Sequence, residues 1–440
     1  MTRDTRTLTG DVWPDVKEWR AMSMATNVTT RCSRAGALAL RHGAQLAAEA
    51  VDTYRAAALL LQGSPFAVAW FAGWLSAEFS PQVLTGHALS GVSPLSVGRV
   101  ATMWAAQRAD RILTAALEES FGANYRARVS HPVTEQDECA RRGGLLHAAG
   151  HRRRYASQTS DISYGPGGRD NLLDIWRRPD LPGGCRAPVL VQIPGGAWTL
   201  NGKRGQAYPL LGRMVELGWI CVSIDYSKSP GKAWPAHIVD VKRAIAWVRE
   251  NIADYGGDPN FIAVTGGSAG AHLASLAALT ANDRRLQPGF EDVDTTVQAA
   301  APYYGVYDFT DPEKMHELML PFLEHFVMQK RYADDPGLFE SASPISHAHS
   351  EAPPFFVLHG ANDSLIPRAQ SQTFCAALRD AGARTVCYAE LPNAHHAFDI
   401  VGTVRSRLTA DAVADFFGVV HGRYLRSRRR VTHKQATSAS

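Results

Sequence analysis

Gly266-Gly267-Ser268-Ala269-Gly270 sets a serine where an apolar run, FIAVTG, gives way to an alanine-rich stretch with helical spacing. A sharp strand-to-helix turn of this kind strains the serine's backbone and admits only small neighbours. It also lifts the hydroxyl above the sheet at a helix N-terminus. A hydroxyl becomes a nucleophile only with a base beside it and an acid to orient that base. With this turn the partners follow in chain order, acid first and then histidine. Asp363, in VLHGANDSLIP, lies just past an apolar strand run, where functional loops gather. His395 and His396, in ELPNAHHAFDI, lie in the loop after the last such run. Asp399 and Glu390 are rival acids. Asp399 stands only three residues beyond His396, too near in sequence to reach the Nδ1 side of the ring, so Asp363 is the expected acid. The chemistry of such a set is acyl transfer through a covalent serine intermediate.

Acyl transfer also needs N–H donors for the tetrahedral oxyanion. VLVQIPGGAWTLNGKRG, from Val189 to Gly205, ends an apolar run in Pro194, Gly195 and Gly196. Without a Cβ, the Gly195 and Gly196 N–H groups can come close to a substrate, and the Ala269 N–H is the third expected donor. Trp198, further along the loop, is expected to contact the substrate. Pro194 fixes its own φ and biases Ile193 towards extended geometry, so its ring is expected to stiffen the turn.

These residues need a scaffold that holds them at strand ends. Short apolar runs at Leu172–Trp176, Pro188–Ile193, Trp219–Tyr226, Phe261–Gly266, Val297–Gly305, Pro354–Gly360 and Thr385–Leu391 fit strands. Helical stretches at Ala207–Glu216, Ala236–Tyr255, Ala269–Ala281, Arg368–Ala381 and Val404–Val420 fall between or after them. That alternation predicts an α/β fold, a mostly parallel sheet with helices on both faces. Residues 308–352 break the alternation and read as a helical insertion. Residues 1–150 read differently, with helical spacing at Ala37–Leu61 and Leu95–Phe121 and no strand-like alternation. The charged stretch His147–Tyr155 marks the boundary of a catalytic domain at 151–425, and 426–440 reads as a basic, flexible tail.

With 440 residues, 45% hydrophobic and 20% charged, the chain can bury a large core. A net charge of +4 is too small to suggest a nucleic-acid partner. Six cysteines without CxxC or metal-like spacing suggest neither a disulfide scaffold nor a metal site. The N-terminal residues lack the apolar core of a signal peptide, so cytoplasmic and envelope locations both stay open. The uncharged segment Ala56–Ala77 is long enough to cross a bilayer, but Gln62-Gly63-Ser64-Pro65 interrupts it. Two short cap helices, buried or lipid-facing, are the expected outcome, and membrane association through 56–77 and a homo-oligomer both remain open. Phe66, Trp70, Phe71 and Trp74 would make such a cap suited to acyl chains.

GDPNFIAVTGGSAGAHLA (Gly257–Ala274), DYSKSPGKAWPAHIVD (Asp225–Asp240) and HGANDSLIP (His359–Pro367) resemble the hormone-sensitive-lipase-like esterases of the α/β-hydrolase superfamily. The layout, with its long helical N-terminal extension, is similar to mycobacterial Lip-type carboxylesterases. The resemblance covers residues 155–420. It implies a serine carboxylesterase without cofactor, acting on a small-molecule or lipid-like ester, with a cap built from the N-terminal helices and the 308–352 insertion. The family's H-x-F ending maps onto His396, Ala397 and Phe398, which selects His396 over His395. Pro194-Gly195-Gly196 occupies the place of the lipase/esterase HGG loop, with proline for its histidine, and the family's DYRLAPE reads DYSKSPG here. GGSAGAHL and the PGG-x-W loop are also similar to arylformamidases, so an amidase is the alternative, and a catalytically silent scaffold is a third reading.

Overall fold

Strands buried on both faces have to be apolar on both, and β3 (Ala187–Ile193), β4 (Ile220–Ile224), β6 (Ala299–Tyr303) and β7 (Phe355–Gly360) are buried at every residue. The computed structural model describes residues 96–130 and 151–438, apart from 157, 158, 183, 201, 312–314, 316 and 401. The expectations for Ala37–Leu61, the segment 56–77 and its cap aromatics lie outside the described residues. With β1 (Ile162–Ser163), β2 (Leu172–Trp176), β5 (Gly257–Gly267) and β8 (Val386–Leu391), the sheet has eight strands in the order β1-β2-β4-β3-β5-β6-β7-β8. β2 runs antiparallel to β1 and β4, and every other neighbouring pair is parallel. This is the α/β architecture that the sequence predicts.

Side chains along each strand divide between two cores with the period of two that a pleated strand imposes. Val189, Val191 and Ile193 face one core, with α3 (Ala236–Asn251), α4 (Ala269–Leu279) and α5 (Ala369–Asp380). Leu190 and Cys221 face the other, with α1 (Ser96–Phe121), α2 (Tyr208–Glu216) and α6 (Val404–Ser438). Each fully buried Leu, Val or Ile of these layers contributes about 1.5–3 kcal/mol relative to exposure. Inside the second core, Trp219 packs edge-on to Phe261 at 5.8 Å and against Phe417 at the same separation.

β1 has no counterpart in the sequence reading, α3 stops at Asn251 where the expected helix runs to Tyr255, and several strand ends shift by one or two residues. Two further departures have a clear physical reason. β5 begins at Gly257, before the expected Phe261, because a bulge between Ala187 and Val189 takes up the intervening residues Asp258–Phe261. α6 runs to Ser438, past the expected end at Val420 and through the stretch expected to be a flexible tail. Beyond Gly422 that stretch has neither proline nor glycine, and its Arg, Lys, Gln and Ala residues are good helix formers. The 308–352 insertion forms short helical pieces at Met319–Phe322, Leu323–Met328, Pro336–Ala342 and Pro344–His347. Among the described residues no helix is long and apolar enough to cross a membrane.

Candidate active site

β5 hands over to α4 through one residue, Ser268, whose φ of 57° and ψ of −123° lie where L-residues rarely go. Neighbouring backbone forces the glycines on either side. A Cβ on Gly266 would come within 2.6 Å of Gly270 and of the Ile193 carbonyl oxygen, and one on Gly270 within 2.1 Å of that same oxygen. The elbow is thus pressed against the end of β3. The Ser268 N–H donates to the Tyr303 carbonyl at 3.0 Å, and its own carbonyl accepts the His272 N–H at 3.1 Å. Ser268 is half-buried among fully buried neighbours.

Asp363 follows β7 and His396 follows β8, and their side chains meet, with Nδ1 2.7 Å from Oδ2. A carboxylate only accepts, so Nδ1 carries the proton and Nε2 is left as the basic nitrogen. The other Asp363 oxygen accepts the N–H groups of Leu365 at 2.9 Å and Ile366 at 2.8 Å. Burial pushes the Asp363 pKa up. The charge and hydrogen bond of His396, with His359 at 3.4 Å and the Ile366 N–H, outweigh it and hold the carboxyl below its ordinary value. The loop carrying His396 lies directly on the end of β7: a Cβ on Gly360 would sit 2.4 Å from the Ala394 carbonyl oxygen, and the Asn362 N–H donates to that oxygen.

The rival residues go elsewhere. His395 is buried, and neither ring nitrogen has a hydrogen-bond partner among the described residues. Asp399 accepts the Tyr304 hydroxyl, while Glu390 accepts from Arg368, Gln372 and Tyr388. The Ser268 hydroxyl makes no hydrogen bond among the described residues, as is common before a substrate tightens such contacts. Tyr304 connects the two halves. Its ring lies 4.5 Å from that of His396, and a Cβ on Gly267 would touch its hydroxyl at 2.7 Å. The ends of β5, β6, β7 and β8 therefore lie side by side beneath one cluster.

Two expectations for the glycine loop need correction. The Gly195 N–H donates to Gln206 Oε1 at 2.8 Å, so it is committed within the protein. A Cβ on Gly195 would lie 2.4 Å from the Gly267 carbonyl oxygen, so this glycine serves close approach of loop and elbow. Gly196, at φ 120°, and Ala269 remain as the candidate donors; Ala269 opens α4, so its N–H has no partner inside the helix. Trp198 is only 1% exposed, with its indole N–H on His272 Nδ1 at 3.2 Å and its ring edge-on to Phe309 at 5.6 Å. Positive φ at Ala197 and Trp198 turns the indole inward, where it ties the loop to α4 and does not line an open pocket.

Sequence reasoning missed what braces this loop. The Tyr226 hydroxyl donates to the Pro194 carbonyl at 2.9 Å, beside the Gln206 bond, so hydrogen bonds supplement the proline ring. Just before Gln206, Lys203 Nζ pairs with Asp225 at 2.7 Å and Asp161 at 2.9 Å. Arg204 pairs with Asp174 at 2.7 Å and with Asp161, whose carboxyl it and Lys203 bring down to about 2. Tyr226 had a signal, the DY of the altered DYSKSPG; Gln206 had none. Gln206→Ala is expected to lower kcat about tenfold and stability by about 1–3 kcal/mol by leaving a buried N–H without its partner. Steady-state kinetics with thermal unfolding checks this, and a rise in kcat would return the Gly195 N–H to the oxyanion.

Comparison with known proteins places the chain among esterases. A family model described as BD-FAE matches residues 173–378. Esterase LipQ of Mycobacterium tuberculosis (strain ATCC 25618 / H37Rv) is 72% identical over 406 residues, covering 92% of this chain and 96% of its own. The probable carboxylic ester hydrolase LipM of the same strain is 47% identical over 405 residues, covering 87% and 93%. Among solved structures, a butyrate-bound thermophilic esterase, Est2 of Thermogutta terrifontis, superposes with a TM-score of 0.51 at 22% identity. It covers 59% of this chain and 93% of that one, a likeness that speaks to the fold.

Proposed function

Because the chain belongs to the mycobacterial Lip carboxylesterases of the α/β-hydrolase superfamily, we propose that it hydrolyses carboxylic esters through Ser268, His396 and Asp363. The observation that carries this reading is the 2.7 Å pair of Asp363 and His396, set at the strand ends that hold the strained serine.

Ser268 Oγ attacks the acyl carbon while its proton passes to His396 Nε2. Asp363 keeps Nδ1 protonated and stabilises the imidazolium that forms. The Gly196 and Ala269 N–H groups hold the oxyanion, aided by the positive end of α4. As the oxyanion collapses, the ester C–O bond breaks and Nε2 gives its proton to the departing alcohol. Water then attacks the acyl-serine, loses a proton to Nε2, and the acid leaves as Ser268 recovers its own. The uncharged, aromatic stretch 56–77 favours short- to medium-chain or lipid-like acyl groups.

A fluorophosphonate is expected to label the wild-type chain and to leave Ser268→Ala unlabelled. A p-nitrophenyl ester series run beside an aryl formamide on the same preparation separates esterase from amidase. Faster formamide turnover would overturn the ester reading, and labelling of Ser268→Ala would overturn the nucleophile.

A further inference from the structure

The sequence holds no Asp or Glu from Phe416 to its end, while Arg423, Arg426, Arg428, Arg429, Arg430 and Lys434 fall within that stretch. Arg428 is engaged by Asp258 at 3.2 Å. Arg423, Arg426, Arg429 and Arg430 are exposed, and among the described residues none of the four is ion-paired; Glu118 and Glu119, exposed at the end of α1, pair with none of them. At 100° per residue, Arg423, Arg430, Arg426, Arg429 and Leu425 occupy one continuous arc of about 160° on α6. Leu425, 38% exposed, is one of the few large apolar side chains left open to solvent among the described residues. Arg128 adds a further cation. The Arg423 guanidinium lies 4.7 Å over the Phe121 ring, whose carbonyl Arg128 binds, and a Cβ on Gly422 would touch both the Arg128 carbonyl oxygen and Arg426. Like charges packed this way repel: partial burial, then Arg128 and Arg426, lower the Arg423 pKa.

We propose that this ridge docks on an anionic phospholipid bilayer, with the arginine heads at the phosphates and Leu425 reaching towards the acyl boundary. Arginine and leucine on one exposed helical arc are what an interfacial surface needs. A single-stranded nucleic acid would need exposed aromatic rings for its bases. Of the aromatic rings nearby, Phe121 and Phe261 are buried, and Tyr424 is held by Asp258 at 2.9 Å, with the Arg428 guanidinium over its ring.

The ridge is a tether and not a substrate mouth. Tyr424 and Arg428 bind Asp258 at the start of β5, whereas Ser268 follows its far end; Gly257 and Gly266 pair with Ala187 and Ile193, a stretch of β3 about 20 Å long at the usual rise per residue. A chain docked by the ridge keeps its reacting residues on the side away from the bilayer.

Co-sedimentation of the full chain with phosphatidylglycerol–phosphatidylcholine vesicles tests this. Binding is expected at about 0.05 M NaCl, with release at about 0.5 M and little binding to phosphatidylcholine alone. The triple variant Arg423→Ser, Arg426→Ser, Arg430→Ser is expected to bind about 100-fold more weakly, about fivefold per arginine. Its lysine counterpart should stay within a few fold. Thermal unfolding of both variants shows that the fold is kept. Hydrolysis of a soluble ester should be the same for wild type and triple variant, with or without vesicles. Equal binding to neutral vesicles, unchanged binding by the serine variant, or retention on duplex DNA in place of vesicles would each overturn the proposal.

Discussion

Ser268→Ala is expected to lower kcat for a p-nitrophenyl ester by about a millionfold, with only the activity that binding and oxyanion donors give retained. The fold should survive. The hydroxyl makes no hydrogen bond among the described residues, and alanine fits wherever serine does. The elbow is set by backbone contacts: the Ser268 N–H on Tyr303, and Gly266 and Gly270 against the end of β3. An unfolding midpoint within a few degrees of wild type, beside the lost turnover, would separate chemistry from structure. Full turnover in this variant would end the serine mechanism.

Asp363→Asn is expected to cost about 10⁴ in kcat with little change in KM. The asparagine oxygen can still accept the Leu365 and Ile366 N–H groups, so the turn survives. Its amide would then face His396 Nδ1 as a donor, which forces the proton onto Nε2 and leaves that nitrogen unable to accept one from Ser268. Asp399→Asn is the matched control, because asparagine can still accept the Tyr304 hydroxyl, and turnover should stay within about tenfold. Were the two effects reversed, the orienting acid would be Asp399. Kinetics of both variants on one ester decides it.

Much of the fold was legible because its determinants are local. Runs such as LLDIW have no face to spare for water, and the structure starts and ends that strand where the sequence does. G-x-S-x-G was legible because the strain of a one-residue turn excludes larger neighbours at fixed offsets. The far reach of α6 was harder to read, since a basic stretch after a glycine looks the same whether it is solvated coil or helix. What separates them is the hold of Asp258, 170 residues away, on Arg428.

The glycine loop shows where sequence reasoning stops. Two adjacent glycines look alike on paper, yet Gln206, 11 residues on, takes the N–H of Gly195. Trp198 reads as a residue at the mouth of a site, and a positive φ turns it into the core.

The sequence by itself determined the strand–helix alternation, the strained serine and the order of its partners, because these rest on periodicity and on sterics within a few residues. The sequence also preferred Asp363 to Asp399 and His396 to His395, and the fold brings that preferred pair together. The tertiary structure alone decided that Gln206 takes the Gly195 N–H and that the Trp198 indole turns in to His272. Each is a choice among neighbours made by hydrogen-bond distance and direction between residues separated in the chain, and such directions exist only once the strand ends are brought together.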